Sequence, residues 1–369
     1  MSWTGRVALV LASSTGGVGQ HVVSLAGGLT GAGCTVTVCG PAATQEHFDF
    51  TRRGAAFVPV EVPASPQPGD ARAVSALRRA LTAAEPDIIH AHGLRAGFVA
   101  GLARQRRPLV VTWHNVLLAR GVRAPALRMV ERIVARSADV TLGASADLVE
   151  RARRLGARDA RLSPVAAPEL PPPHRQPAAV RAEFGVPAGV PLVLSVGRLH
   201  PQKGYDTLIA AAARWRHLDP APVVLIAGSG PAYMNLAARI SDAHAPVQLL
   251  GHRTDVADLL AAADLAVVSS VWEARQLFAQ EALRVGAPLV ATAVGGLPEL
   301  VGDAAVLIPP QDVDALDEAV RAMLADPARR AEYAARGPAR AAAWPSEADM
   351  VADVRAVYHD LVPATTGHG

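Results

Sequence analysis

Short apolar runs and helical patterns alternate along the whole of this 369-residue chain. Such alternation predicts an α/β fold with parallel sheets covered by helices, because parallel strands are joined by crossovers that are usually helical. The clearest helical patterns run over 71–84 and 124–137. Strands are expected at 7–12, 35–39, 57–60, 88–91, 109–113 and 140–144, and again at 192–196, 223–227, 247–249, 265–268, 289–291 and 305–307.

A proline-rich segment separates two similar halves. Residues 163–177 contain six prolines, which exclude a helix and stiffen an extended chain. Half of all residues are apolar, so each half can bury a core. We therefore expect one Rossmann-like domain over 1–168, a linker over 169–178 and a second Rossmann-like domain over 179–345, with a cleft between the domains.

The charge is divided unequally between the two halves. Residues 1–168 hold 20 basic against 11 acidic side chains, a net charge of +9, and the remainder carries −6. The first half therefore either faces an anionic partner or has an arginine-rich solvated surface. Cys34 and Cys39 would lie about 16 Å apart on a strand, too far for a disulfide. We expect a cytosolic protein without a membrane-spanning helix, because glycines interrupt the long uncharged segment 7–45.

Residues 192–204 join an apolar strand to a loop that carries two cations. Lys203 is the only lysine in the sequence, and the other 35 basic residues are arginines. An ammonium is a compact charge that suits a phosphate oxygen, and Arg198 stands at the strand end where ligands of α/β sheets bind. Gly197 and Gly204 allow tight turns. The pattern favours an anion site over chance placement of one lysine, and we expect this loop cation to contribute little to stability.

Two glycine-rich loops also follow predicted strands. Gly16 and Gly17 precede a helix, so their amides and the helix N-terminus can hold an oxyanion, although a turn without a ligand is the alternative. The first loop does not match a dinucleotide fingerprint, because the third glycine is missing and the next acid is Glu46. The second loop offers amides for a diphosphate at Gly228, Ser229 and Gly230.

Histidines end two strands of the first half. His90 and His92 lie on one face of a strand, but no Asp, Glu or Cys cluster accompanies them, and we expect no metal site. His114 follows another strand, where it can donate to a hydroxyl or a phosphate. An ordinary structural histidine is equally consistent with this spacing.

Two acids in the second half are eight residues apart. On a helix, Glu273 and Glu281 would lie two turns apart and face one ligand. Carboxylates accept sugar hydroxyls, while Arg198 and Lys203 can neutralise phosphate. Solvated surface acids are the alternative, which the apolar flanks of Glu281 disfavour.

These motifs, with Gly295-Gly296 and Pro298-Glu299, resemble the retaining GT4 family of glycosyltransferases, which has the GT-B fold. The resemblance is strongest over 192–302. It implies sugar transfer from a nucleoside-diphosphate sugar to an acceptor hydroxyl, and we expect no cofactor and no metal. It also implies that Arg198 and Lys203 bind the donor diphosphate, that Glu281 binds the ribose, and that Glu273 binds the donor sugar.

The same resemblance extends to the first half. It implies that Gly16 and Gly17 approach the donor phosphates, that His114 lies beside the donor sugar, and that Gly197 lines the donor site with the second glycine loop. It also implies that a last helix and tail, 346–369, return to the acceptor-side first domain.

The sequence departs from the family pattern after Glu273. The family has glycines there, whereas this chain has Ala274, Arg275 and Gln276, which are expected to alter the backbone and add a charge. A sugar-nucleotide epimerase, a phosphorylase and a non-catalytic binding module are the alternatives. The phosphorylase is disfavoured, since Lys203 is the only lysine that can anchor pyridoxal phosphate.

A basic stretch in the first half suggests the acceptor. Residues 95–136 carry a net charge of +8, and a helix over 124–137 would align Arg128, Arg132 and Arg136. Leu127, Val130, Ile133 and Val134 would lie largely on the other side. The hypothesis is peripheral contact with an anionic membrane and a lipid-linked or cell-envelope acceptor, with no nucleic-acid partner. The alternative is that the apolar face packs on the sheet.

Overall fold

A computed structural model of the chain describes residues 3–14, 16–63, 70–116 and 124–362. The chain divides into two compact units, Met1–Pro168 with Pro345–Gly369, and Glu169–Trp344. Each unit contains one sheet. The first has β1 (Arg6–Leu11), β2 (Thr35–Gly40), β3 (Ala56–Pro59), β4 (Ile88–His92), β5 (Leu109–Trp113), β6 (Val140–Gly143) and β7 (Ala160–Leu162); the second has β8 (Leu192–Val196), β9 (Val223–Ala227), β10 (Val247–Gly251), β11 (Leu265–Val268), β12 (Leu289–Thr292) and β13 (Val306–Ile308).

Both sheets are parallel and have the same kind of strand order. The first runs β3-β2-β1-β4-β5-β6-β7 and the second β10-β9-β8-β11-β12-β13. The order reverses direction between β1 and β4, and again between β8 and β11. These are the topological switch points beside which open α/β sheets bind ligands, at the carboxyl ends of the strands. The predicted α/β class, with two Rossmann-like parallel sheets, is confirmed.

The strands are almost continuous runs of buried apolar residues. Four of the five residues of β8 and all five of β5 are buried, as expected for strands covered by helices on both faces. Each expected strand is present, with ends shifted by no more than two residues. The sequence did not predict β7, which is three residues long and includes Arg161, because a short polar strand has little apolar pattern.

Helices cover the sheets, and acidic caps start two of those in the second unit. Asp312 accepts a hydrogen bond from Ala315 N at 2.9 Å, and Asp326 accepts one from Arg329 N at 2.9 Å. The helices of the first unit are α1 (Gly17–Gly31), α2 (Ala42–Phe48), α3 (Asp70–Ala84), α4 (Leu94–Ala103), α5 (Ala124–Ser137) and α6 (Ala146–Arg154). Those of the second are α7 (Pro177–Glu183), α8 (Tyr205–Trp215), α9 (Tyr233–Ala243), α10 (Val256–Ala262), α11 (Leu277–Arg284), α12 (Leu297–Val301), α13 (Val313–Ala325) and α14 (Pro327–Ala342).

The last helix, α15 (Glu347–Leu361), packs into the core of the first unit. Its start is set by a capping box between Ser346 and Asp349. Tyr358 is fully buried, and its hydroxyl lies 2.6 Å from Nδ1 of His90. Its ring meets that of Trp3 edge to face, with centroids 5.2 Å apart. One buried side chain thus ties α15 to the strand β4.

Cys34 and Cys39 are buried free thiols. Of the helices that the structure describes, none has the length and apolar character needed to cross a membrane.

We expect Tyr358→Phe to destabilise the first unit by about 1–3 kcal/mol, because the buried Nδ1 of His90 then loses its partner. The control is Tyr233→Phe. Tyr233 is 44% exposed, so the loss of its hydroxyl should change stability little. Calorimetric unfolding of both variants and the parent chain measures the difference. Equal transitions for the two variants would contradict the anchoring role of the hydroxyl.

Candidate active site

The loop after β8 places Lys203 beside the loop after β11. The segment Pro201–Lys203 forms a 3₁₀ turn that ends at Gly204, which has a φ of +64°. A Cβ at Gly204 would lie 2.0 Å from the carbonyl oxygen of Ser269. Only glycine fits this left-handed, crowded position. The two loops therefore meet at the switch point of the second sheet because of one glycine.

An ion pair joins these loops. Nζ of Lys203 lies 2.6 Å from Oε1 of Glu273, and the Ser270 hydroxyl donates to the same oxygen at 2.8 Å. The side chains of Lys203 and Glu273 are only 16% and 9% exposed. Within the described chain, neither Oε2 of Glu273 nor the other two N–H groups of Lys203 have a hydrogen-bond partner. The pair is therefore nearly buried and keeps free acceptor and donor capacity.

The glycine loop after β9 crosses the loop after β8 at close range. A Cβ at Gly228 would lie 1.9 Å from the carbonyl oxygen of Gly197, so this crossing also requires glycine. The sequence suggested a free amide at Gly228. In the structure this amide donates to the Gly251 carbonyl at 2.7 Å. The amides of Ser229 and Gly230 make no hydrogen bond to the described residues. Two amides, rather than three, are available to an anion.

Glu281 lies on α11, which follows the loop that carries Glu273. Its side chain is half-buried and has no hydrogen-bond or ion-pair partner among the described residues. Burial raises the pKa of this carboxyl to about 7, and the nearby charge of Arg284 opposes the shift. A buried carboxyl without a partner is costly for the folded protein, and it has the acceptor oxygens that a ligand hydroxyl needs.

Arg198 is exposed at the end of the strand β8, and within the described chain it makes no ion pair. Burial lowers the pKa of the neighbouring His200, and the charges of Arg198 and Lys203 lower it further. Two cations thus act on the same loop, one paired and one free. This loop is positively charged at the carboxyl edge of the sheet.

The residues that depart from the family pattern lie around the start of α11. The guanidinium of Arg275 stands 5.8 Å from the centre of the Trp344 ring, and burial lowers its pKa to about 10. Gln276 caps α11 only through its backbone, and its Oε1 is buried without a hydrogen-bond partner among the residues that the structure describes. The added charge of Arg275 is therefore directed at an indole ring.

In the first unit, the glycine loop after β1 leads into α1. Gly16 is the N-cap residue and Gly17 the first helical residue, and a Cβ at Gly16 would meet nothing within 4 Å. The Gly19 amide is taken by the Ser14 hydroxyl at 3.1 Å. Thr15 lies outside the described residues. The helix start is thus open on the side of Gly16.

His114 belongs to a cluster of buried histidines. Its Nε2 lies 3.4 Å from Nδ1 of His92, and the ring of His21 lies 5.0 Å from that of His114. Burial lowers the pKa of all three imidazoles, to about 4 for His21, so they are neutral at pH 7. The sequence prediction paired His92 with His90 and did not include His21, which comes from α1. Helical spacing from Gly17 would have placed His21 one turn in from the helix start.

The comparisons with known proteins identify the family. Residues 16–168 match the model of the glycosyl transferase 4-like domain, and residues 178–340 match that of glycosyl transferases group 1. A D-inositol 3-phosphate glycosyltransferase of Xylanimonas cellulosilytica is 33% identical over 306 residues, 73% of this chain and 72% of that protein. One from Mycobacterium leprae is 34% identical over 323 residues, 79% of this chain and 74% of that protein. The chain therefore belongs to the GT4 family of glycosyltransferases.

Solved structures agree on the fold. HepE from Anabaena in complex with UDP-glucose superposes with a TM-score of 0.82 at 21% identity, covering 96% of this chain and 99% of that one. Sucrose-phosphate synthase from Thermosynechococcus elongatus gives a TM-score of 0.80 at 23% identity, covering 97% and 99%. The two-domain α/β fold is that of GT-B glycosyltransferases. A non-catalytic module or an epimerase is not favoured by these relatives.

The raised pKa of Glu281 predicts that the free energy of unfolding depends on pH. An unfolded glutamate ionises near pH 4.3, whereas folded Glu281 keeps its proton up to about 7. Raising the pH through this window therefore lowers the stability of the parent chain, and Glu281→Gln removes the effect. We expect the variant to match the parent near pH 4.5 and to be more stable than the parent above pH 7, by at most about 4 kcal/mol.

Thermal unfolding between pH 4.5 and 8 measures this difference. The control is Glu318→Gln on α13, an exposed glutamate of the same unit. A constant difference between Glu281→Gln and the parent chain at every pH would show that Glu281 does not titrate in this window.

Proposed function

We propose that this enzyme is a retaining glycosyltransferase that moves a sugar from a nucleoside-diphosphate sugar to an acceptor hydroxyl without a metal ion. The observation that carries the proposal is the Lys203–Glu273 pair at the switch point of the second sheet, a phosphate-binding cation held against a hydroxyl-accepting carboxylate. The structures of HepE with UDP and with UDP-glucose support the choice of donor.

The second unit supplies the donor contacts. Arg198 and the two free N–H groups of Lys203 bind the diphosphate, helped by the amides of Ser229 and Gly230. Oε2 of Glu273 accepts a hydroxyl of the donor sugar. Glu281, whose carboxyl has no partner among the described residues, accepts the ribose hydroxyls and recovers part of the free energy lost on its burial.

The first unit contributes on the acceptor side. Gly16 leaves open space at the start of α1, where a phosphate can approach the helix N-terminus. The resemblance to the family assigns His114 to the histidine beside the donor sugar, and its neutral imidazole can exchange a hydrogen bond with a sugar hydroxyl.

The reaction breaks the bond between the anomeric carbon and the diphosphate oxygen and forms one to the acceptor oxygen. The acceptor attacks from the face that the leaving group departs from, and its proton passes to a diphosphate oxygen. Arg198 and Lys203 stabilise the charge that grows on the leaving diphosphate. This is the electrostatic role that a metal ion fills in other transferases.

Lys203→Ala should lower turnover by about 100- to 1,000-fold, the cost of removing one comparable electrostatic stabiliser. The structure adds an effect on stability, because the nearly buried Glu273 loses its counter-ion. The companion variant Lys203→Ala/Glu273→Gln removes both charges and should recover stability without recovering activity. Initial rates with a panel of nucleotide sugars, read beside melting temperatures, separate the two effects.

Arg239→Ala serves as the control for the loss of a positive charge, because Arg239 is exposed and contacts Asp206 through an exposed ion pair and Asn235 through a hydrogen bond. It should keep the parent rate. A folded Lys203→Ala variant that turns over at the parent rate would contradict the assignment of the diphosphate site.

The surface of α5 favours an acceptor at an anionic membrane. Met129 and Ile133 are 55% and 41% exposed, and the arginines on this surface form no ion pair with any residue that the structure describes. Val134 is buried, so part of the predicted apolar face packs on the domain, as the alternative expected. What stays outside is an apolar pair flanked by cations, here called the α5 surface: Arg128, Met129, Arg132, Ile133 and Arg136.

We infer that the α5 surface binds anionic lipid at the cytoplasmic face of a membrane and brings the enzyme to a lipid-linked or cell-envelope acceptor. Two exposed apolar side chains among three arginines match an interfacial helix. Arg120 and Arg123, which the sequence grouped with them, lie outside the described residues.

Vesicle sedimentation tests this inference. Pelleting should require anionic lipid and fade with salt, and Arg128→Gln/Arg132→Gln should weaken it about 30-fold, at about 1 kcal/mol per basic residue. The matched control, Arg72→Gln/Arg79→Gln, removes two exposed arginines from α3. Negligible pelleting in every condition would favour a free acceptor, such as the inositol phosphate named for the relatives.

A further inference from the structure

Three histidines from different elements meet at the carboxyl edge of the first sheet. His92 is the last residue of β4, His114 follows β5, and His21 lies in the second turn of α1. The strand β4 borders the switch point, the place where sheets of this order bind ligands. The position alone makes the cluster a candidate site.

The spacing of the ring nitrogens fits a single metal ion. Each of the three side chains offers one nitrogen, and these atoms all lie within 4.8 Å of one another. Nδ1 of His92 and Nε2 of His114 are 3.4 Å apart. Two nitrogens bound at 2.0–2.1 Å to a tetrahedral zinc ion are separated by about 3.3 Å. One edge of the coordination polyhedron is thus already formed.

The cluster also has nitrogen atoms that the protein does not use. Both ring nitrogens of His21 and Nε2 of His92 are buried, and none of the three has a hydrogen-bond partner in the part of the chain that the structure describes. Most buried polar atoms are hydrogen-bonded. The neighbouring His90 shows the ordinary case, with one nitrogen 2.6 Å from the Tyr358 hydroxyl and the other 2.7 Å from that of Thr112. His21 therefore resembles a ligand without a metal more than a core histidine, and His92 contributes Nδ1, the nitrogen that lies beside His114.

We propose that His21, His92 and His114 bind one divalent transition-metal cation of the zinc class through three imidazole nitrogens. A set of imidazoles alone suits zinc, copper and nickel, whereas magnesium and calcium require oxygen ligands. Three protein ligands leave the fourth position of a tetrahedral site for water. The site has the ligand number of a metal centre that exchanges its fourth ligand.

The metal acts as an inhibitor, a consequence that rests on the proposed function. The imidazole of His114 cannot bind a metal and a donor sugar with the same nitrogen. Zinc and the nucleotide sugar therefore compete, and a chelator relieves the inhibition.

Metal binding is measured directly on the full-length, EDTA-treated protein. Titration with Co²⁺ should give visible d–d absorption that saturates at one equivalent, and Zn²⁺ should displace it. His21→Ala should weaken Co²⁺ binding by at least about tenfold, since loss of a mere supporting partner already costs that much. The matched control His217→Ala removes an exposed histidine of the other unit and should bind like the parent.

Circular dichroism is the measurement that checks whether the His21→Ala variant is folded. A titration of the parent chain without a saturable equivalent would overturn the proposal, whatever the variants do. Co²⁺ binding that a folded His21→Ala variant retains unchanged would overturn it as well.

Activity assays keep the proposed function separate from the metal site. The EDTA-treated enzyme should be fully active, and Zn²⁺ should raise the apparent KM for the donor. Loss of activity in EDTA with recovery on Zn²⁺ would confirm the metal site and overturn the metal-free mechanism. If the chain binds one equivalent of Co²⁺ but has no transferase activity, the proposed function is contradicted and the metal site is not.

Discussion

The ion pair between Lys203 and Glu273 is the interaction on which the arrangement of the loops in the second unit depends. It joins the loops after β8 and β11, the two neighbouring strands between which the strand order of the second sheet reverses. The pair forms because Gly204 lets the first loop approach the Ser269 backbone within a distance that any Cβ would prevent. Topology supplies the place, and one glycine supplies the contact.

The same loops, together with α11, carry charged groups whose hydrogen-bonding capacity is not fully used by the described residues. Lys203 and Glu273 keep unused donors and an unused acceptor, Arg198 has no partner among the described residues, and burial raises the pKa of Glu281. The carboxyl of Glu281 lowers the stability of the free protein, and all of these groups have the charge or the acceptor oxygens to bind a polyhydroxylated phosphate ligand. Such unsatisfied groups are typical of binding sites, where stability is lost for function.

Local pattern predicted most of the fold, and contacts between distant segments account for what it missed. The strands β5 and β8 stand out in the sequence because both of their faces are apolar, and the sequence placed them at their observed bounds. The polar edge strand β7 has no such pattern. The expectation that Lys203 matters little to stability does not take its partner into account, because that partner is 70 residues away and almost buried. The sequence also could not show that His21 reaches His114, since α1 packs there only in the folded chain.

The crystal structure of the chain with a bound nucleoside diphosphate tests the central claim most directly. The account predicts diphosphate oxygens within hydrogen-bond distance of Arg198 and of Nζ of Lys203, and ribose hydroxyls on the Glu281 carboxylate. A nucleotide bound elsewhere, with the Lys203–Glu273 pair unchanged and Glu281 still without a partner, would contradict it.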